Sequence, residues 1–218
     1  GNDKGLLPTC SDFFVVTGER DRKQHAIFGE LSFDVTDDIQ IAYGFRYYKL
    51  AAEAFGDVVE FNLLGSVFPV GNTPKEDLPD EDGIIHKASV SYDFTDNVMA
   101  YSLFSQGYRQ GGQNNESAFV DFPLTFKTDT TDNFEVGFKS LLFDDRVQFN
   151  LTGYWINIKG IQTALTKCGA VVCAGYIDNV GDARSRGIEL ETAIAVGQGW
   201  YFSGALNYGE YRLTEDSV

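Results

Sequence analysis

The chain has 218 residues and a formal net charge of −15, from 17 Lys and Arg against 32 Asp and Glu. This acidic balance argues against binding to nucleic acid, whose phosphates need basic side chains. With 43% hydrophobic and 14% aromatic residues the chain is too apolar for disorder, and its 3 Cys cannot form the framework of a small disulfide-rich domain.

Alternation of apolar and polar residues, the period of a β-strand, recurs along the chain in four hairpins with short turns. Helical spacing does not compete in any of them. The sequence therefore predicts an all-β fold, an antiparallel meander of about eight long strands. The predicted strand pairs, in chain order, are 26–35 with 39–47, 86–94 with 99–103, 134–142 with 147–155, and 188–196 with 200–208.

The connections between predicted strands have two very unequal lengths. Strands of about twelve residues, at ~3.3 Å per residue and a 45° tilt, rise ~28 Å, which matches the hydrocarbon thickness of a bilayer. Long tilted strands with short turns at one end and long loops at the other are typical of an outer-membrane barrel. The long connections are predicted at roughly Ala51–Gly83, Arg109–Thr130 and Thr163–Asp178.

The two faces of the predicted strands differ in charge. One face is apolar and aromatic, and in the second hairpin we assign Met99, Tyr101 and Leu103 to it. The other face is charged; it would be the solvated side of a soluble sheet, or the lining of an aqueous or plugged lumen in a barrel. The unequal loops favour the barrel. Aromatic residues near strand ends are predicted to form interface girdles, with ordinary sheet packing as the alternative: Tyr92, Phe94, Phe143, Trp155 and Trp200.

Several segments resemble the barrel region of TonB-dependent outer-membrane receptors. The second hairpin continues into a Gly-Tyr-Arg and Gly-Gly segment at Gly107–Asn114, although Gln110 stands where the family usually has Pro. Asn133–Lys139 is similar to the family's Asn-x-Glu-x-Gly-x-Lys strand, and Asn179–Glu191 to its Asn-x-Gly-x-Ala…Gly-x-Glu strand. The first hairpin, with Ala26–Glu30 leading to Tyr43–Tyr47, resembles the family's strand–turn–strand with a Gly-x-Arg return.

The resemblance implies the family's fold and activity. Such receptors form a transmembrane β-barrel of about 22 strands with an amino-terminal plug. They take up scarce nutrients, most often a ferric siderophore, across the outer membrane of a Gram-negative bacterium, with energy supplied through TonB. Residues 1–218 are then expected to be a partial barrel domain that lacks the plug and the remaining strands. Its expected partners are outer-membrane lipid, TonB through that plug, and the small-molecule nutrient. A passive porin-like or small structural barrel is one alternative; a soluble β-sandwich binding module is another.

Candidate ligand contacts lie after the second hairpin. Tyr108, Arg109, Gln113 and Asn114 can contact a ligand by stacking and hydrogen bonding. The alternative is a turn-rich hinge with a structural Arg. Cys168 and Cys173 lie close together in one loop and are predicted to form a disulfide, because nearby His or further Cys for a metal site are lacking. Cys10 has no obvious partner.

The segment from Thr73 to Gly83 is predicted to be an acidic loop. Its carboxylates suggest Ca²⁺ binding, but their spacing does not match an ordered calcium loop, so we expect a solvated acidic loop and no metal. The two His, His25 and His86, sit at predicted strand starts, and no Gly-x-Ser-x-Gly elbow occurs. We therefore expect neither a cofactor nor an enzyme. The acidic residues are Glu76, Asp77, Asp80, Glu81 and Asp82.

Overall fold

The computed structural model describes residues 14–17, 20–54, 58–63, 66–72, 76–117, 120–170, 173–197 and 199–216. Regular structure in these ranges is β-strand, and they contain no helix long and apolar enough to cross a bilayer. The strands are β1 Phe14–Thr17, β2 Arg20–Asp34, β3 Ile39–Ala54, β4 Val58–Leu63, β5 Ser66–Asn72, β6 Glu76–Thr95, β7 Val98–Arg109, β8 Gly112–Gln113, β9 Thr125–Phe126, β10 Asp129–Leu142, β11 Val147–Lys159, β12 Gln162–Cys168, β13 Cys173–Asn179, β14 Gly181–Ala195 and β15 Tyr201–Asp216.

The predicted meander is present as one antiparallel sheet of eight strands, in the order β15-β14-β11-β10-β7-β6-β3-β2. The predicted all-β fold and the strand count are therefore confirmed. Three smaller sheets, β1-β4-β5, β8-β9 and β12-β13, are also present; their strands lie in the connections between the long strands, except β1, which precedes β2. Four hairpins with short turns form the main sheet, and each of the long connections leads from one hairpin to the next.

The long connections are more ordered than predicted. The segment expected as a loop from Ala51 to Gly83 contains the end of β3, then β4, β5 and the first eight residues of β6. The segment from Thr163 to Asp178 is largely the β12–β13 hairpin. The prediction was wrong here because these stretches alternate less cleanly, while strand pairing with β3 and between β12 and β13 supplies their backbone hydrogen bonds.

The turn between β10 and β11 has an unusual backbone. Phe143, Asp144 and Asp145 all have positive φ, at 57°, 56° and 63°. Non-glycine residues rarely adopt the left-handed region, and Asp does so more readily than most. The short turn predicted between strands 134–142 and 147–155 is thus present, in a conformation that glycine would adopt at lower cost.

One face of the sheet, called the outward face here, presents large apolar side chains to the surroundings. Phe134 is 49% exposed, Val136 65% and Ile188 54%. In a soluble sandwich such a face would be buried against a second sheet. On β3 the exposed apolar residues of this face run from Ile41 to Tyr47, and with the half-buried Ile39 the apolar side of the strand covers nine residues, within the ~9–11 of a membrane-spanning strand. The opposite, polar face carries Glu135, Lys139 and Glu189.

The side chains of β7 point to the opposite faces of the sheet from those predicted. Register pairs Met99 with Lys139, Tyr101 with Gly137 and Leu103 with Glu135, so these apolar residues lie on the polar face. Small residues of β7, Ala100 and Ser102, point outward instead. The assignment was wrong because it followed residue size, whereas the Tyr101 ring occupies space above a neighbouring glycine and its hydroxyl lies 3.2 Å from Thr152 Oγ1.

Candidate functional site

The predicted ligand contacts lie where β7 leaves the sheet. Tyr108 and Arg109 are the last residues of β7, and Gln113 and Asn114 lie in and just after the two-residue strand β8. The segment that follows runs back through β9 to β10, over the β12–β13 hairpin. The structure therefore brings all four residues to one end of the sheet, the end opposite the short turns.

Arg109 and Asp129 form an ion pair at the end of β7 and β10. The side chain of Asp129 is only 5% exposed and accepts hydrogen bonds from both Nε and Nη2 of Arg109, with Nε at 3.0 Å. The backbone N–H of Gln162 also donates to Asp129, at 3.1 Å. Nη2 of Arg109 in turn donates to the carbonyl of Gln162 at 2.9 Å. Arg109 thus connects β7, β10 and the start of β12.

Gln162 extends this network into the loop. Its side-chain Nε2 lies 3.0 Å from the carbonyl oxygens of Arg109 and Lys127, and 3.1 Å from that of Gln110. Asn179, at the end of β13, donates to the carbonyl of Lys127 at 3.0 Å and accepts from its N–H at 2.7 Å. The two ends of the β12–β13 hairpin therefore hold the segment between β9 and β10 by side chain–backbone bonds.

Tyr108 lies against the polar face of β3. Its ring stacks on Tyr48 with centroids 3.7 Å apart, and its hydroxyl accepts a hydrogen bond of 2.6 Å from Nε2 of Gln24. The next residue of β3, Lys49, points to the other face of the sheet and pairs with Asp80 at 3.0 Å. The hydrogen bond to that carboxylate raises the pKa of the Lys49 ammonium group. One face of the Tyr108 ring is thus committed to protein contacts, while Arg109 is 57% exposed.

Gln113 and Asn114 are buried, at 7% and 6% exposure. Asn114 donates to the carbonyl of Ile177 at 2.7 Å and accepts from its N–H at 2.7 Å, and it also donates to the carbonyl of Pro123 at 2.8 Å. This amide is saturated by backbone partners and fixes β13 to the loop. Nε2 of Gln113 is buried without a hydrogen-bond partner. Asn114 is a structural residue in this arrangement.

The acidic segment is a strand, which corrects the expected loop. Glu76, Asp77, Asp80, Glu81 and Asp82 all lie in β6, and β6 pairs with β3. Within the described side chains, Asp80 pairs with Lys49 and Glu81 accepts a hydrogen bond from Thr128. Across the described part of the chain, no group of three or more His, Cys, Asp and Glu is placed to hold a metal ion.

Cys168 and Cys173 are joined by a disulfide at the end of the β12–β13 hairpin, where the two residues are directly opposite each other. Cys10 lies outside the described residues. His86 approaches the hydroxyl of Tyr43, with Nδ1 at 2.8 Å, on the outward face. Sequence inspection missed Asp129, Gln162 and Asn179; the signal that marks them is a polar residue at the start or end of a strand beside a long connection.

The whole-chain comparison places the fold in a family. The model of the TonB dependent receptor-like β-barrel matches residues 4–218. The chain belongs to this family, and the predicted resemblance is confirmed. It is accordingly part of an outer-membrane β-barrel of a Gram-negative bacterium, as expected.

Curated and solved relatives agree with this assignment. The pesticin receptor of Yersinia enterocolitica is 24% identical over 213 residues, which cover 97% of this chain and 29% of that protein. The crystal structure of the ferric yersiniabactin uptake receptor from Yersinia pestis aligns at 21% identity and a TM-score of 0.65, covering 92% of this chain and 29% of that one. The closed form of the ferric-catecholate import receptor from Escherichia coli K12 aligns at 17% identity and a TM-score of 0.68, with the same coverage of the two chains.

The chain therefore spans 29% of the length of these relatives. All three are named as receptors, two of them for the uptake or import of a ferric compound. At these identities the structures show a shared fold, and the sheet order, turn lengths and outward apolar face described above are the features that this fold requires.

Proposed function

We propose that this chain is part of the barrel wall of a TonB-dependent receptor that actively takes up a scarce nutrient, most simply a ferric siderophore. The observation that carries this proposal is the family match over residues 4–218. Two of the similar solved structures are named for ferric siderophore-type cargo, yersiniabactin and catecholate. Residues 1–218 would then lie within the barrel domain of a longer receptor, whose plug and remaining strands are encoded elsewhere in it.

A passive pore is the competing function within the barrel fold. An energised receptor needs contact between a plug and TonB, whereas a pore conducts without either. The deciding experiment deletes the full-length gene in its host and measures uptake of ⁵⁵Fe-labelled ferric siderophores under iron limitation. We expect uptake of one siderophore to require both this gene and TonB. Uptake that persists without TonB would identify a pore, and normal uptake of every ferric siderophore without the gene would overturn the iron assignment.

For the ligand site we propose a division of roles among the four predicted residues. The 57% exposure of Arg109 and the contacts of Tyr108 with the polar face support a role for these two in meeting cargo that enters from the loop end. Gln113 and Asn114 are buried and position the loop. Arg109→Gln should weaken binding of an anionic chelate about tenfold, by loss of one charge-assisted contact. Equal binding of wild type and variant would remove Arg109 from the ligand site.

A further inference from the structure

The outward face changes from apolar to charged within a few rows of the sheet, where a row is a set of residues paired directly from strand to strand. One row, across β7 to β15, consists of Ser102, Val136, Gly153, Ile188 and Tyr208, which are directly paired from strand to strand. The next row away from the short turns contains Phe134, Trp155, Arg186 and Glu210. The row beyond that contains Asp132, Asn157, Arg184 and Arg212. The apolar band therefore ends in a charged edge.

Ser102, Val136 and Gly153 of the first row form the floor of a groove of about 1120 Å³. Gly153 has no side chain and Ser102 a short one, and they lie on either side of Val136 in the same row. Taller apolar walls surround them, formed by Phe134, Trp155, Ile188 and Tyr208. Phe134 and Tyr208 are 49% and 80% exposed, so this groove opens to the surroundings of the barrel. An apolar groove on this face is in contact with lipid chains.

Basic side chains lie at the charged edge of the groove. We call Arg184, Arg186 and Arg212 the arginine cluster. The guanidinium carbons of Arg184 and Arg186 lie 4.8 and 5.4 Å from the centre of the Trp155 ring. Arg186 pairs with Glu210 at 2.9 Å, and Arg212 contacts the same carboxylate.

The charge of the arginine cluster is incompletely balanced. Among the described side chains, Glu210 is the carboxylate that pairs with the cluster: it pairs with Arg186 and Arg212, while Nε of Arg184 donates to the neutral amide oxygen of Asn157 at 3.2 Å. The nearby Asp132 is engaged by Gln106 at 2.8 Å and by Lys159 at 3.5 Å. Arg186 and Arg212 remain 48% and 55% exposed. A positive edge on a chain of net charge −15 is a local feature that an anion would complement.

The position of the cluster defines the kind of anion. It lies on the lipid-facing side, at the end of the membrane band that carries the long connections, directly above an apolar groove. Guanidinium groups bind phosphate through paired N–H donors. We propose that this groove binds a phosphate-bearing lipid of the outer leaflet, with an acyl chain over Gly153 and Ser102 and the phosphate on the arginine cluster. The proposal rests on the outward face lying in lipid and is independent of the nutrient that the receptor carries.

The test uses the full-length receptor in detergent and native mass spectrometry with a defined probe, diphosphorylated lipid A. We expect the wild type to bind this lipid at least about tenfold more tightly than its dephosphorylated form. The triple variant R184Q/R186Q/R212Q should lose about the same factor, and R184K/R186K/R212K, which keeps the three charges without the paired N–H donors, should lose less. The charge-matched control is R46Q/K87Q/K139Q, which removes three positive charges from the polar face and should bind as the wild type does.

A second arm tests the groove without changing charge. A Cβ on Gly153 would meet only the Val136 carbonyl oxygen at 3.9 Å, so Gly153→Leu fits the fold while it fills the groove. This variant should bind the lipid several-fold less tightly than Gly204→Leu, which adds the same side chain to the outward face outside the groove. If the triple neutral variant fails to fold, as judged by heat-modifiable migration, this pair decides the question. Binding unchanged in R184Q/R186Q/R212Q or in Gly153→Leu, or an equal loss in the polar-face control, would overturn the proposal.

Discussion

The ring of Tyr101 lies directly over Gly137 of the neighbouring strand. The two residues are paired in the β7–β10 register, and a Cβ on Gly137 would fall within the ring and 2.6 Å from its hydroxyl oxygen. The same relationship joins Tyr48 to Gly83 and Tyr154 to Gly187. All three Tyr–Gly pairs lie on the polar face, and each connects two successive hairpins. They fix the register between hairpins, since a slip of one residue would move the Tyr to the outward face.

Adding a methyl group to these glycines should destabilise the barrel unequally. At Gly187 a Cβ would lie 2.5 Å from the Tyr208 carbonyl oxygen, which is backbone and cannot move aside, so we expect Gly187→Ala to cost about 1–3 kcal/mol. Gly137→Ala meets a side chain that can rotate away and should cost less. Thermal unfolding of the full-length receptor measures both, with Gly153→Ala as the control. Equal melting temperatures for Gly187→Ala and Gly153→Ala would refute the argument.

The Asp129 carboxylate should determine how firmly the β12–β13 hairpin is attached. Asp129→Asn replaces an acceptor that binds both Arg109 and the N–H of Gln162, so local opening should become easier by about 1–3 kcal/mol. Hydrogen exchange should show faster exchange of the Gln162 amide, with the amides of β10 and β11 unchanged. Asp121→Asn, at an exposed carboxyl in the same loop, is the matched control. Unaltered exchange at Gln162 would count against this role.

Asn114 should matter for loop position and not for barrel stability. Asn114→Asp keeps the acceptor for the Ile177 N–H but loses both donors, to the carbonyls of Ile177 and Pro123. A buried carboxylate next to two carbonyl oxygens is costly, so the loop should detach from β13. Limited proteolysis should then cleave between residues 114 and 128 several-fold faster than in wild type, while the melting temperature stays the same. Cleavage at the wild-type rate is the contrary outcome.

Loss of the Cys168–Cys173 disulfide should have a local effect. Its closed loop is short, so the chain-entropy contribution is about 2 kcal/mol and acts on the β12–β13 hairpin. We expect C168S/C173S to leave the melting temperature of the barrel within error and to increase proteolysis at residues 168–173. Alkylation of the denatured wild type without reductant should add no label at these two cysteines; labelling there would show that the bond does not form in the natural protein.

Glycine in the β10–β11 turn should stabilise the protein. Asp144 has a φ of 56°, and glycine adopts that region without the steric cost of a Cβ. The gain is reduced by the greater entropy of glycine in the unfolded chain, so we expect Asp144→Gly to raise stability by at most about 1 kcal/mol. Asp96→Gly, in the β6–β7 turn, is the control and should be neutral or destabilising. Thermal unfolding that ranks the two variants in the opposite order would contradict the prediction.

The sequence predicts the hairpins well because their signal is local. Alternation over nine or ten residues and turns such as Thr36–Asp38 lie within a short window, and the four hairpins were placed correctly. The prediction of which side chains of β7 point outward is wrong. Tyr101 is a large aromatic residue, but its ring lies on the polar face because Gly137, 36 positions later in the chain, leaves space for it there. Cross-strand space of this kind does not appear in any local window.

The candidate site is harder to predict from the sequence than the hairpins are. The sequence predicts one group of ligand contacts, yet the structural surroundings of its members differ: Tyr108, Arg109, Gln113 and Asn114. Asn114 is buried and bonded to Ile177, whereas Arg109 stays exposed and pairs with the buried Asp129, and both partners come from distant segments. A polar residue at a loop looks the same in sequence whether it meets solvent, ligand or backbone. The arginine cluster could not be predicted from the sequence either, because Arg184 and Arg186 meet Trp155 and Arg212 only through the pairing of adjacent strands.

The length of β6 has a consequence for any ligand that binds at the loop end of the sheet. At 20 residues β6 continues well past Ile84, the exposed apolar residue nearest that end among its described side chains, and its first residues pair with β3 beyond the membrane band. Backbone that is already ordered in a sheet gives up little conformational entropy when a ligand binds to it. Side chains carried on this extension, such as Asp80 and Asp82, are therefore preorganised, and contacts made to them retain more of their free energy than contacts made to a loop that must first be ordered.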